Sequence, residues 1–216
     1  MKSAAILAGG RATRFGGRDK SALLVDGRSI LERQVAELST VVDDLMIVAS
    51  GDGARGPADG DRARGIQPVD VAQRLQPTAR SITDIIPGCG PLGALHAALT
   101  EMRSDRVLVV ACDMPYVEAA LADFLLSIAD DAAIVVPETD RGYHPLCAVY
   151  TRACLEPVAA RLAERRLMMR DLFDDVPTRI VTAEELSRFG APSRLLANVN
   201  TPAEYARLEA LQGHKL

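Results

Sequence analysis

Short apolar runs alternate with amphipathic stretches along most of the chain. Ser3–Leu7, Leu45–Ala49, Arg106–Ala111, Ala133–Val136, Leu146–Tyr150 and Thr178–Val181 are compact and apolar, as buried strands are. Between them lie stretches with helical spacing of apolar residues. Ser29–Leu38 predicts a helix with Ser29 as N-cap and Glu32 three residues on, the spacing of a capping box. Pro91–Met102 begins with a proline, which a first helical turn tolerates. Glu118–Ala129, Thr151–Arg166 and a terminal segment, Pro202–Leu211, complete the predicted helices. Strands alternating with helices at this spacing predict a three-layer α/β fold, a mostly parallel sheet covered on both faces. The whole chain, residues 1–216, reads as a single domain with no internal repeat and no long linker. The stretch 51–65, rich in Gly with Asp, Arg and Pro, reads as an exposed, mobile loop.

Composition narrows the class of partner. The net charge is −4 and the pI about 5.4, which argues against a chain that coats nucleic acid or an anionic membrane. With 48% hydrophobic and 25% charged residues, the chain is a globular protein rather than a disordered one. The apolar run Ala4–Ala8 stops at Gly9-Gly10, too short for a signal-peptide core, and no stretch approaches a membrane span. Cys89, Cys112, Cys147 and Cys154 show no Cys-x-x-Cys spacing, so they read as four small buried thiols in a reducing cytoplasm. Only Lys2, Lys20 and Lys215 are lysines. That scarcity singles out Lys20.

Ligands of such sheets sit beyond the carboxyl ends of the strands, near the point where strand order reverses. Directly after the first strand runs Leu7-Ala8-Gly9-Gly10-Arg11-Ala12-Thr13-Arg14-Phe15-Gly16-Gly17-Arg18-Asp19-Lys20. Four glycines permit close backbone approach, and Arg14 and Lys20 supply fixed positive charge, so the segment reads as a polyphosphate site; the alternative is a glycine-rich turn with surface basic residues. It matches neither the dinucleotide fingerprint nor the P-loop. Asp113, in Ala111-Cys112-Asp113-Met114-Pro115, follows a buried strand at the same edge. It suits Mg²⁺, which takes one or two carboxylates together with phosphates; the alternative is a turn-capping Asp. Asp84 reads as an acceptor for a base or ribose, or as a surface turn residue. His144 enters a strand, where a lone His is more often a packing residue, and no His pair marks a zinc site. Glu164-Arg165-Arg166 ends a helix, either opposing its dipole or meeting an anionic substrate. Thr201 and Pro202 fit an N-cap and first helical position; Asn198 and Asn200, alternating about Val199, are not explained that way.

The segment Leu7–Gly10 with Arg14, Gly16-Gly17 and Asp19-Lys20 resembles the signature of the Rossmann-like nucleotidyltransferases. More narrowly, the chain resembles the molybdenum cofactor guanylyltransferases, through Gly90-Pro91-Leu92-Gly93, Cys112-Asp113-Met114-Pro115, His144-Pro145, Glu164-Arg165-Arg166 and Asn198-Val199-Asn200-Thr201-Pro202. The resemblance implies transfer of GMP from GTP to the phosphate of molybdopterin or Mo-molybdopterin, with Mg²⁺ as cofactor and with cofactor-synthesis proteins or molybdoenzymes as partners. It implies that Leu7, Ala8, Gly9, Gly10 and Lys20 hold GTP, that Asp84 contacts the nucleoside, and that Asp113 binds Mg²⁺ and nucleotide. Ser50, after the second strand where relatives often carry Asn, would lie near the nucleoside. His144, Arg165, Asn198 and Asn200 would serve the acceptor, with Asn198 and Asn200 near the metal or the pterin phosphate. Relatives that use CTP tend to read Leu-Ala-Ala-Gly at Leu7–Gly10, which favours GTP. The chemistry agrees: a phosphate monoester is already anionic at pH 7, so positioning, metal and cations can replace a general base. Arg14, Lys20 and Asp113 are the candidate catalytic inventory. The alternatives are a molybdopterin cytidylyltransferase, a sugar-phosphate nucleotidyltransferase, or a nucleotide-binding module without catalysis.

Overall fold

A computed structural model describes residues 1–8, 23–25, 27–49, 78–84, 86, 88–128 and 131–199. Its main sheet is built on β1 (Ser3–Leu7), which pairs in parallel with β4 (Asp44–Ala49) on one side and β6 (Arg106–Ala111) on the other. The register sets Leu7 opposite both Val48 and Ala111. Beyond β4 lies β5 (Arg80–Thr83), also parallel. Beyond β6 come β9 (Cys147–Thr151), β7 (Ile134–Thr139) and β10 (Thr178–Val181), giving the order β10–β7–β9–β6–β1–β4–β5. β9 runs antiparallel to both neighbours and is the one reversed strand on this path. A short β8 (Gly142–Tyr143) folds back on β7, and a two-stranded ribbon, β2 (Leu24–Val25) with β3 (Arg28–Ser29), stands apart.

Alternation along the strands feeds two cores. Ala4, Ile6, Leu45, Ile47, Leu108 and Val110 face α1 (Ile30–Leu38) and α3 (Ala119–Ser127). Ala5, Met46, Val48, Val107 and Val109 face α2 (Gly90–Glu101) and α4 (Leu155–Ala163). This is the three-layer, mostly parallel architecture the pattern predicts. The α1 capping box is present: Ser29 N–H donates to Glu32 Oε2 at 2.9 Å and Glu32 N–H to Ser29 Oγ at 3.2 Å. Two four-residue helices, α5 (Ala183–Leu186) and α6 (Pro192–Leu195), finish the described chain.

The differences from expectation have local causes. β5 offers one apolar side chain in Arg-Ser-Ile-Thr and is half-exposed as an edge strand, so hydrophobicity alone gives it no signal. The helix expected over 151–166 starts with a 3-10 turn, Arg152–Cys154, and stops at Ala163. Of the four thiols, Cys89, Cys147 and Cys154 are buried, whereas Cys112 is only half-buried. Burial pushes the Cys147 and Cys154 thiols up to about 12, so both are inert protonated groups at pH 7. The loop 51–65 and the terminal helix from Pro202 lie outside the described residues. Among the described residues, no helix is long and apolar enough to cross a membrane.

The amino edge of the sheet closes over a polar network. Asp44, 4% exposed, accepts from Arg80 Nε at 2.8 Å and Nη2 at 3.1 Å, from Ser3 Oγ at 3.1 Å and from the Arg103 N–H at 3.3 Å. Ser104 Oγ then donates to Ser3 Oγ at 2.9 Å. Burial by itself would raise the Asp44 carboxyl, but these donors and the Arg80 charge hold it below its ordinary value.

Candidate active site

The chain leaves β1 on one side for β4 and β5, then crosses through α2 to β6 on the other. Ligands of open α/β sheets bind at such a reversal, which here falls at the carboxyl ends of β1 and β6. Pairing continues past the strand ends there. Ala8 N–H donates to Val48 O at 2.9 Å, Asp84 N–H to Ala49 O at 2.9 Å, and Cys112 N–H to Leu7 O at 3.2 Å. Leu7, Ala8, Asp84 and Asp113 are thereby brought to one edge. Asp84 and Asp113 sit three strands apart, about 14 Å at the usual strand spacing. Gly9, Gly10, Arg14, Lys20, Ser50 and Asn200 lie outside the described residues.

Asp113 occupies a tight turn. Met114 N–H donates to Ala111 O at 3.3 Å, leaving Cys112 and Asp113 at the two central positions. The Asp113 carbonyl accepts the Val199 N–H at 2.9 Å, so the strip carrying Asn198 is tied directly to this turn. The third tie comes from α1: Gln34 Nε2 donates to Ala111 O at 2.7 Å and to Met114 O at 3.0 Å. The Asp113 side chain is half-buried, with Oδ1 screened from solvent. No cluster of three His, Cys, Asp or Glu side chains occurs among the described residues. This donor set suits Mg²⁺, which needs one or two hard oxygen ligands beside phosphates, and is unlike a zinc site.

Asp84 is not the surface turn residue that was one of its two expected forms. It is 8% exposed, and its Oδ1 accepts the Ile86 N–H at 3.0 Å. Its carboxylate lies across the first turn of α2, where the helix dipole favours an anion. The fit is close enough that a Cβ on Gly93 would stand 2.9 Å from Asp84 Oδ2 and 3.0 Å from Oδ1. Gly90, at φ +57°, supplies the left-handed backbone that leads into the helix.

His144 reaches the same edge because β9 is reversed. An antiparallel strand starts where its parallel neighbours end, and Ala111 N–H donates to Leu146 O at 2.8 Å. The His144 N–H donates to Pro137 O at 2.9 Å, and Nε2 hydrogen-bonds Thr139 Oγ1 at 2.9 Å. Burial first, then the Arg141 charge, lowers the imidazole below its usual 6.5 against the pull of Asp140, so the ring is neutral at pH 7. Beneath it, fully buried Tyr150 donates its hydroxyl to Pro145 O at 2.7 Å. Burial pushes that phenol well up and keeps it a donor.

Arg165 ends α4 in an uncommon way. Arg166 N–H donates to Arg161 O at 2.9 Å and Arg165 N–H to Leu162 O at 3.1 Å, the paired bonds of a Schellman motif. The left-handed position, φ 58°, normally goes to Gly but holds Arg165. Its Nη1 lies 3.9 Å from the Sγ of Cys89, the N-cap of α2. The next segment is anchored by buried Arg161, which donates to the Asp175 carboxylate and the Asp171 carbonyl. Sequence reasoning missed Gln34, Tyr150 and Thr139. The available signal for Gln34 was a polar residue inside the apolar stripe Ile30, Leu31, Val35, Leu38.

A family model described as the MobA-like NTP transferase domain matches residues 4–180. The chain is 31% identical to a molybdenum cofactor guanylyltransferase of Desulfosudis oleivorans over 206 residues, 95% of this chain and 93% of that protein. Its fold is similar to that of molybdopterin-guanine dinucleotide biosynthesis protein A from Archaeoglobus fulgidus, at 21% identity and a TM-score of 0.80 over 99% of both chains. It is also similar, at 18% identity and a TM-score of 0.60, to a Mycobacterium tuberculosis protein crystallised in complex with manganese, covering 95% of this chain and 96% of that one.

Proposed function

The chain belongs to the MobA-like NTP transferase domain family, and on that premise we propose that it transfers GMP from GTP to the phosphate of molybdopterin. The observation that carries this reading is the Val199 N–H donated to the Asp113 carbonyl at 2.9 Å. It joins the turn suited to a metal–phosphate group to the strip suited to the acceptor, two elements far apart in sequence. An acceptor phosphate oxygen attacks the α-phosphorus of GTP, a new P–O–P linkage forms, and the bond to the β-phosphate oxygen breaks to release pyrophosphate. The attacking oxygen is already anionic, so no residue need remove a proton.

In this reading Leu7, Ala8, Gly9, Gly10 and Lys20 hold GTP, with Ser50 and Asp84 on the nucleoside side. Arg14 and Lys20 offset the repulsion between two anions. Asp113 holds Mg²⁺, which would neutralise charge on the transferring phosphoryl group when bound. His144, as a neutral ring, and Arg165, Asn198 and Asn200 position the acceptor. The reaction belongs in the cytoplasm, with cofactor-synthesis proteins or molybdoenzymes receiving the product.

The test is a panel of purified acceptors with labelled GTP or CTP and Mg²⁺, scored for dinucleotide and pyrophosphate. Molybdopterin with GTP should give both in equal amounts. A preference for CTP, or faster transfer to a sugar phosphate, would overturn the assignment of donor or acceptor respectively.

A further inference from the structure

The geometry points to Gln34 as a positioning residue that fixes the Asp113 turn for metal–nucleotide binding, an inference that rests on the proposed nucleotidyl transfer. Gln34 sits mid-helix in α1 and is 1% exposed. Its neighbours on that face, Ile30, Leu31, Val35 and Leu38, are all buried apolar residues. A core selected for stability alone would carry another apolar side chain here, because a buried amide must find partners for both its ends.

Among the described residues Gln34 satisfies one end only. Nε2 donates both its hydrogens, to Ala111 O at 2.7 Å and Met114 O at 3.0 Å. Oε1 is buried and has no hydrogen-bond partner among the described residues. The reverse orientation would set Oε1 against two carbonyl oxygens, so the amide orientation is fixed by its surroundings. The amide is therefore retained for its donor side. The two carbonyls it grips are the first and last of the four-residue turn that holds Asp113. Cys112 is tied to β1 and the Asp113 carbonyl to Val199. Gln34 adds the tie to the helical layer, so the turn cannot open without breaking a buried bidentate contact. A carboxylate that must meet a metal and a phosphate together depends on such support from groups behind it.

The test compares wild type, Gln34→Met, Asp113→Asn and the double variant. Each is titrated with Mn²⁺ in the presence of GTP, beside a thermal melt. Gln34→Met keeps the volume and removes the donors. It should melt as a folded protein and lose about tenfold in apparent Mn²⁺ affinity, the loss typical when a group supporting a metal ligand is removed. In the Asp113→Asn background the same change should have little further effect, which a general packing defect would not produce. Wild-type Mn²⁺ affinity in Gln34→Met, or an equal fold-loss in both backgrounds, overturns the inference. If Gln34→Met does not fold, the series is run with Gln34→Asn, whose amide falls one methylene short of both carbonyls, with the same outcomes deciding. Failure of the functional reading looks different: Asp113→Asn would then bind Mn²⁺ and GTP as wild type does.

Discussion

The two ends of the same parallel strands treat their carboxylates in opposite ways. At the amino edge Asp44 is enclosed by two Arg80 nitrogens, the Ser3 hydroxyl and the Arg103 N–H. The surrounding chain supplies the donors, and the charge is used up in holding β4, β5 and the end of α2 together. At the carboxyl edge the backbone around Asp113 is tied on three sides, by β1, Gln34 and Val199. There the bonds fix the main chain of the turn that carries the carboxylate. Similar chemistry thus serves cohesion at one edge and, on the proposed function, reception at the other. Strand direction decides which, because the loops at the carboxyl ends surround the reversal of strand order.

Substitutions can break this contrast. The largest expected effect is at Asp113. Asp113→Asn keeps the size and removes the charge, so turnover should fall by about two to four orders of magnitude, the scale of losing several kcal/mol of transition-state stabilisation. Its melting temperature should be unchanged. A steady-state rate beside a melt decides the point, and a destabilised but active variant would make Asp113 a structural residue like Asp44.

Asp44→Ala should show the reverse pattern. Breaking a buried pair whose Arg80 partner keeps some solvent contact should cost about 2–3 kcal/mol in urea unfolding, with rate per folded molecule intact. The Asp44 contribution also has a sign with pH. Its folded-state pKa is depressed below 3.8, so the stabilisation is fully present above that value and fades as pH falls through the lower folded one. Wild type and Asp44→Asn should therefore converge in stability as pH is lowered, and divergence would contradict the network.

Gly93→Ala tests the link between α2 and Asp84. The added methyl would meet the carboxylate oxygens at 2.9 and 3.0 Å and Cys89 Cβ at 3.0 Å, so something must move. A loss of about 1–2 kcal/mol is expected. If Asp84 serves the nucleoside, calorimetry should place part of that loss in GTP affinity; a loss confined to the melt would group Asp84 with Asp44. The smallest effect is at Arg165. Arg165→Gly relieves a left-handed residue and should stabilise the fold by up to about 1 kcal/mol, while the KM for the acceptor rises. Stabilisation with an unchanged KM would leave the guanidinium without a part in acceptor binding.

Some of these contrasts can be read in the sequence. Asp113 follows an apolar run that can only be a buried strand, so its arrival at a sheet edge follows from the pattern. The Arg165 conformation cannot be read, since nothing in Glu164-Arg165-Arg166 announces a left-handed backbone where Gly is usual. Nor can the burial of Asp84, which depends on α2 folding back over it after Gly90 turns the chain.

The sequence by itself determined β1, β6 and β10 residue for residue, the capping box that starts α1, and the placement of the glycine-rich segment and Asp113 after strands. These follow from short-range periodicity and from hydrogen bonds between residues three apart. Only the tertiary structure decided that β9 runs against its neighbours and so carries His144 to the carboxyl edge of the parallel strands. It also decided that Arg-Ser-Ile-Thr pairs as the edge strand β5, and that Gln34 meets two carbonyls some eighty residues away. An apolar strand reads the same in either direction, and an edge strand or a buried amide is stabilised by its partners. Those choices belong to contacts between distant segments; local pattern can mark Gln34 as unusual in its stripe but cannot name its partners.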